Sequence, residues 1–383
     1  MRRTRVAFGS PLLVAVLIVG IGGNVAWGQV DASPREDVPS ALDSPTGKGL
    51  PEPLIDTDEL RSGGPPPDGI PAIDEPRLDR VDDVDWLDPE EPVLAFALGD
   101  EARAYPVRIL IWHEIVNDAV DGVPVAITYC PLCNSAIAFD RRVGPRVLDF
   151  GTSGLLHRSD LVMYDRQTES LWPQFDGRAV AGVLTGTELT ALPVSTVSWR
   201  EWRNAHPEGR VLSRDTGHSR PYGDNPYPGY DQESDRPFLY SGSIDRRLPP
   251  KSRVVGIDDG ERGVAVRWKS LQRRRVIELT TARGPVSVWW RPGTASALDA
   301  GTVSAGTDVG AAQAFSPDVD GKTLHFEADG EGFRDRETGS TWDFFGRATA
   351  GPLAGTSLDP VTHLDSFWFA WAAFHPDTRI VRR

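Results

Sequence analysis

Two stretches decide how the chain is read: Tyr164-Asp-Arg-Gln-Thr-Glu-Ser-Leu-Trp172 and Arg334-Asp-Arg-Glu-Thr-Gly-Ser-Thr-Trp342. Self-similarity within one chain is the mark of a repeated structural unit. The match extends forwards. Gly177-Arg-Ala-Val-Ala-Gly-Val-Leu-Thr-Gly-Thr187 parallels Gly346-Arg-Ala-Thr-Ala-Gly-Pro-Leu-Ala-Gly-Thr356. Trp199-Arg-Glu-Trp-Arg-Asn-Ala-His206-Pro parallels Trp368-Phe-Ala-Trp-Ala-Ala-Phe-His375-Pro. It extends backwards too, through Val93–Ala104 against Val254–Ala265 and Pro124–Tyr129 against Pro285–Trp290. The offset drifts, as insertions in loops would produce. Two units are therefore expected, 90–213 and 252–382, with a Pro-, Gly- and Asn-rich connector over 214–251.

Within a unit the pattern is mostly strand. Val93–Leu98, Ala102–Val107, Val123–Tyr129, Ala136–Phe139, Val147–Phe150 and Leu161–Tyr164 are short, β-branched or aromatic, and bounded by Gly, Asp or Pro. Helices are predicted over Arg108–Asp118 and over Thr196–Ala205, the latter capped by Ser195 or Thr196 and stopped before Pro207. The expected fold is a β-rich α+β fold: two similar mainly-β units from an internal duplication, packed face to face, each with one or two short helices.

Composition narrows the function classes. The 383 residues carry 41 Lys+Arg against 55 Asp+Glu, a net charge of -14, which leaves no dominant basic footprint for nucleic acid. Hydrophobic content of 39% with 25% charged residues excludes a polytopic membrane protein. Residues 1–28 read as a signal peptide or N-terminal anchor: Arg2, Arg3 and Arg5 precede an apolar run from Pro11 to Gly22, and small residues follow. The remaining chain is then extracytoplasmic, touching a membrane only through that possible anchor. Residues 29–80, rich in Pro, Gly and Asp, read as a linker that becomes ordered near Ile70.

The candidate chemistry centres on the two cysteines, in Tyr129-Cys-Pro-Leu-Cys-Asn-Ser-Ala136. A Cys-x-x-Cys pair can be a redox dithiol, two thiolate ligands for a metal, or a structural disulfide. The last would close a very small loop and remove little unfolded-state entropy. The second unit supplies a control. Its matching stretch, Arg291-Pro-Gly-Thr-Ala-Ser-Ala297, keeps the surroundings and lacks both thiols. The unit does not need the pair to fold, which moves weight towards function.

The same subtraction singles out His113, whose counterpart lies in Arg273–Arg275, and Met163, whose counterpart is Phe333. Cys130, Cys133 and His113 suit zinc, and with Met163 they suit copper. The plain alternatives are a core methionine and a hydrogen-bonded or helix-surface histidine. Glu114 and Asp118, one turn apart on the expected helix, are acid/base candidates or solvated residues. His206 and His375 occupy matching positions before Pro and are read as closing a helix in each unit. Surface roles are expected for His157, His218, His325 and His363. Asp165-Arg166 and Asp335-Arg336 are expected to form a hydrogen-bonded turn in each unit. Phosphate loops, the Gly-x-Ser-x-Gly elbow, His-Glu-x-x-His and the haem-attachment motif are all missing from the sequence.

Three strings, Tyr105–Asp118, Thr128–Asp140 and Ser159–Thr168, resemble the bacterial and archaeal family called domain of unknown function 3179. The likeness runs from about Gly63 to Val381. It implies no established activity. Three functions remain open from the sequence. In the first, the protein is a thiol/disulfide redox protein in which Cys130 attacks, Cys133 resolves and His113 or Glu114 accepts a proton. In the second, it binds copper or zinc through Cys130, Cys133, His113 and Met163, serving a redox or metal-delivery partner. In the third, it is a non-catalytic binding module.

Overall fold

The computed structural model describes residues 38–330 and 332–382, so the signal or anchor expected over 1–28 and the start of the linker lie outside the described residues. No helix among the described residues is long and apolar enough to cross a membrane.

In chain order the first half contains β1 (Leu60–Ser62), β2 (Leu78–Arg80), β3 (Pro92–Leu98), β4 (Glu101–Pro106), α1 (Val107–His113), β5 (Ile115–Val120), β6 (Val123–Cys130) and β7 (Ser135–Asp140). A short ribbon follows, β8 (Arg142–Val143) with β9 (Arg146–Val147). Then come β10 (Phe150–His157), β11 (Asp160–Asp165), β12 (Leu171–Pro173), β13 (Thr190–Leu192), β14 (Ser195–Ser198), α2 (Trp199–Ala205) and β15 (Arg210–Leu212). They form three sheets, ordered β14-β3-β4-β15-β2, β13-β7-β6-β5 and β1-β10-β11-β12. Turn chemistry fixes the register. β5 and β6 are joined by Asp121-Gly122, both at positive φ (49° and 73°), the turn whose twist suits a two-residue hairpin.

The second half contains β16 (Arg253–Ile257), β17 (Val264–Arg267), α3 (Trp268–Arg274), β18 (Val276–Thr281), β19 (Gly284–Arg291), β20 (Ala311–Phe315) and the ribbon β21 (Asp318–Val319) with β22 (Lys322–Thr323). β23 (Phe326–Asp329), β24 (Gly332–Asp335), β25 (Thr341–Trp342), β26 (Ala348–Ala350), β27 (Leu364–Phe367), α4 (Trp368–Phe374) and β28 (Arg379–Val381) complete it. Its sheets run β27-β16-β17-β28, β18-β19-β20 and β23-β24-β25-β26. In both halves a strand after the last helix returns parallel to the second strand of the first sheet: β15 on β4, and β28 on β17.

One hydrophobic core is common to both halves; it includes Leu94, Ile109 and Met163 with Phe367, Trp368 and Trp371. Ser195 Oγ in β14 donates to Gln313 Oε1 in β20 at 2.6 Å, and Phe367 N in β27 donates to Cys133 O at 2.9 Å. Sheet edges of each half thus reach the other half.

Local departures from the sequence reading have local causes. The helix expected over Arg108–Asp118 stops at His113, because Glu114 turns to φ 60° and the β-branched Ile115 and Val116 enter the sheet with β6. The second helix starts at Trp199, not Thr196. Ser195–Ser198 pairs with β3, and Ser198 is the cap, its Oγ accepting from Glu201 N. His206 and His375 do end α2 and α4. His157 and His363 are buried, not superficial; His157 Nε2 lies 3.0 Å from Glu59 and His363 Nδ1 lies 2.9 Å from Val361 O. The described part of the 29–80 segment is laid against the body well before Ile70. β1 pairs with β10 and β2 with β15, and Ile73 exchanges backbone bonds with Ile115 and Asn117. Extended Pro-rich chain still offers donors and acceptors to a sheet edge. Segment 214–251 is an ordered strap, with Asn225 N bonded to Gly301 O and Tyr230 N to Leu298 O.

The two signature turns are each built on one carboxylate. Asp165 accepts from Thr168 N (2.6 Å), Thr168 Oγ1 (2.8 Å) and Trp172 Nε1 (3.0 Å). Asp335 does the same with Thr338 N, Thr338 Oγ1 and Trp342 Nε1. Trp172 and Trp342 are fully buried, so an indole N–H left alone there would be costly. Asp335→Ala is expected to lower stability by about 1–3 kcal/mol, since it strands a buried indole donor; the shift of the urea midpoint measures it.

Candidate functional site

Cys130 is the last residue of β6, and β7 begins at Ser135, so Pro131–Asn134 is a four-residue hairpin loop. Asn134 closes it at φ 51°, a conformation that asparagine tolerates, with its N–H on Pro131 O at 3.2 Å. Both cysteines are free. No helix begins at this pair, so no helix dipole lowers its thiols, unlike the common redox setting.

Opposite the loop stands a residue that the sequence reading missed. Arg158 and Ser159 make a two-residue turn with φ of 54° and 68°, and this turn launches β11 at Asp160. Positive φ at both central residues is what a two-residue hairpin turn requires, and here it is met without glycine. Cys130 Sγ, Cys133 Sγ and a carboxylate oxygen of Asp160 lie within 4.8 Å of one another. Asp160 Oδ2 accepts from Phe175 N at 2.9 Å, while Oδ1 is buried without a hydrogen-bond partner. The Cys133 thiol points to Ser159 O at 3.4 Å. Exposure is 2% at Cys130 and 0% at both Cys133 and Asp160.

Electrostatics follow from that burial. Loss of water holds the Cys130 thiol above its ordinary pKa and the Cys133 thiol well above it. Burial likewise raises the Asp160 carboxyl far above the carboxylate range. The two thiols are therefore protonated near neutral pH, and burial favours the protonated form of the carboxyl.

Glu114 is brought to this site. Its N–H bonds Leu110 O (2.7 Å) and its carbonyl accepts from Tyr129 N (2.8 Å), which sets it beside the end of β6. Its carboxyl raises the Cys130 thiol and the Tyr227 hydroxyl by charge. Burial pushes the Glu114 pKa up to about 8. Charge on the pair raises two hydroxyls of the strap: Tyr227 responds to Cys130 and Glu114, and Tyr230 to both thiols, beside the larger effect of burial.

His113 and Met163 are placed elsewhere. His113 Nδ1 donates to Pro71 O at 2.7 Å, which leaves Nε2 to accept from Tyr222 OH at 2.6 Å. Both ring nitrogens are engaged, and burial lowers its pKa to about 4. His113 is therefore neither a ligand nor the proton acceptor of the pair in this arrangement. Met163 is fully buried, with Trp172 as its cross-strand neighbour, and strand alternation turns it to the other face of β11 from Asp160. Asp118 lies on β5, buried, accepting from Arg103 Nη1 (2.6 Å) and Tyr105 OH (2.7 Å). That is structural pairing, not acid/base chemistry. A signal for Asp160 was present in the sequence. Counting from Asp165 and Asp335, its counterpart is Gly330, so the subtraction applied to the cysteines would have found it.

A family model described as protein of unknown function (DUF3179) matches residues 67–378, most of the chain. No curated protein matches, and no solved structure does.

Glu114 gives the metal-free protein a defined pH response. A carboxyl raised to about 8 on folding favours the fold while protonated. Wild-type stability should therefore fall, relative to Glu114→Gln, as pH rises from about 4.5 to 8, by an upper bound of roughly 5 kcal/mol. The two proteins should respond alike below pH 4; urea titrations across that range measure the difference.

Proposed function

The chain belongs to the DUF3179 family, whose description assigns no activity, so we propose from the site itself that the protein binds a divalent metal ion through Cys130, Cys133 and Asp160, with zinc the best-fitting ion. One observation carries the reading: three acidic donors converge in a dry interior, and the buried carboxylate oxygen Asp160 Oδ1 has only the two thiols to face. Donors around a tetrahedral zinc stand about 3.5–4 Å apart, given bonds of about 2.0–2.3 Å. Closing a 4.8 Å cluster onto the ion needs only small side-chain adjustments. A carboxylate oxygen in the set favours zinc over copper(I), which prefers sulfur alone.

Thiol redox chemistry has less support. The sulfurs are near enough to react, yet burial raises both thiols, and the thiolate is the attacking species. The recurring strand order supports reading 90–213 and 252–382 as copies of one duplicated unit, with the metal site retained in the first alone. An extracytoplasmic setting rests on the N-terminal sequence, and a metal-delivery partner is the corresponding expectation.

Metal-free protein reloaded with zinc and then desalted should retain about one ion per chain, measured by elemental mass spectrometry. The Cys130→Ser/Cys133→Ser double variant should retain none, and Asp160→Asn should bind at least about tenfold more weakly. Affinity should fall with decreasing pH, because protons compete for the two raised thiols. Wild-type protein that retains no zinc, copper or other transition metal would defeat the reading.

A further inference from the structure

The three donors are sealed from solvent, yet on one side their cover is thin. The Cys133 thiol meets Ser159 O at 3.4 Å, and the Ser159 hydroxyl donates to Phe238 O at 2.6 Å. Ser159 is buried, whereas Phe238 is 48% exposed. From Cys133 outward there is thus Ser159, then the strap, then water.

The strap over this point, segment 234–239, runs between two fixed ends. Before it, Glu233 O accepts from Lys251 N at 3.0 Å and Glu233 Oε2 from Lys269 Nζ at 2.6 Å. After it, Tyr240 is buried, with its ring 5.4 Å from that of Phe369. Between these ends Pro237 alone is buried, and the other five residues are exposed. Apart from a local turn, in which Asp235 N bonds Gln232 O at 3.1 Å, two hydrogen bonds hold the segment among the described residues. Both end on the Phe238 backbone: its O accepts from Ser159, and its N donates to Tyr230 OH at 3.2 Å. Few anchoring bonds in an exposed stretch mark a part of a fold that opens locally. Leu239 sits at φ 50°, a conformation that leucine rarely adopts, so the closed position carries strain.

The groups that clasp Phe238 stay with the body. Tyr230 N bonds Leu298 O at 3.0 Å, Lys251 Nζ donates to Tyr230 O at 2.6 Å, and the Tyr230 ring lies 6.1 Å from that of Phe367, whose N–H holds Cys133 O. Ser159 belongs to the turn that launches β11. Its hydroxyl is a feature of the first half. Counting from Asp165 and Asp335, its counterpart is Asp329, which instead accepts from Arg334 Nε at 2.8 Å. The hydroxyl that fastens the strap occurs in the half that has the thiols.

Resting on the metal reading above for what it admits, we propose that segment 234–239 is a lid over the site formed by Cys130, Cys133 and Asp160. Release of Phe238 from Ser159 and Tyr230 lets the segment swing out between Glu233 and Tyr240, which uncovers Ser159 and the Cys133 thiol behind it. A divalent cation enters by that gap, and closure seals it in.

Alkylation of the metal-free full chain by iodoacetamide, followed at Cys133 by mass spectrometry, tests the lid without any metal. In urea below the unfolding transition the wild-type rate should be nearly independent of urea, because opening a short lid exposes little surface. Ser159→Ala and Tyr230→Phe each remove one bond of the clasp. Each should speed labelling about fivefold with the same flat urea dependence. Unchanged rates in both variants would overturn the lid. So would a steep urea dependence, since Cys133 would then be reached only by global unfolding. Cobalt(II), a coloured stand-in for zinc, tests the passenger: its sulfur-to-cobalt absorption should develop faster in the same two variants. Equal rates of cobalt uptake in all three proteins would overturn the lid as the route of the ion. Labelling governed by the clasp with no sulfur-to-cobalt band in any of them would refute the metal reading and leave the lid standing.

Discussion

The arrangement depends on an imbalance of charge in a dry place. A hairpin loop on one sheet and a two-residue turn on another bring two thiols and a carboxyl together, inside the core that joins both halves. Each group would ionise more readily in water than here. Desolvation disfavours their charged forms until a cation arrives, because isolated buried charge is costly. A protein that needed only a packed core would place apolar side chains there. Retention of three convergent acids, one with an unsatisfied oxygen, is best explained by a ligand that satisfies them.

The second half has a similar strand order without that demand. It repeats the carboxylate-centred turn, the buried tryptophan and the left-handed helix stop. Where the first half has its acidic cluster, Arg275 reaches Gly330 O and Arg291 pairs with Glu201 at 2.7 Å. The first contact stays within the second half, and the second reaches α2 of the first. The contrast separates residues that hold the fold, such as Asp165 and Asp335, from residues that the fold tolerates.

Much of the architecture was legible in the sequence because strand signals are local: β-branched runs bounded by Gly, Asp and Pro gave β3, β4, β6 and β7 within about one residue, while β5 was read as the end of a helix. The helix ends were not, since Glu114 carries no breaker signature and its left-handed turn is imposed by pairing with β6. The cysteine pair was legible from spacing. Its partner was not, because Asp160 lies 27 residues beyond Cys133 and reaches it only through the turn at Arg158 and Ser159. His113 misled because a histidine near a Cys-x-x-Cys resembles a ligand. Its two nitrogens are instead satisfied by Pro71 and Tyr222, one before it and one far after it in the chain. The Pro-rich segment misled for a related reason: composition reports what a stretch lacks for a core, not whether a sheet edge will accept it.

The central claim is that the two sulfurs and one carboxylate hold a metal together, and X-ray absorption at the zinc edge of the reconstituted protein tests it most directly. The account expects two sulfur neighbours at about 2.3 Å with oxygen neighbours near 2.0–2.2 Å, and loss of one oxygen neighbour in Asp160→Asn. Zinc surrounded only by oxygen or nitrogen, with no sulfur in its first shell, would contradict it.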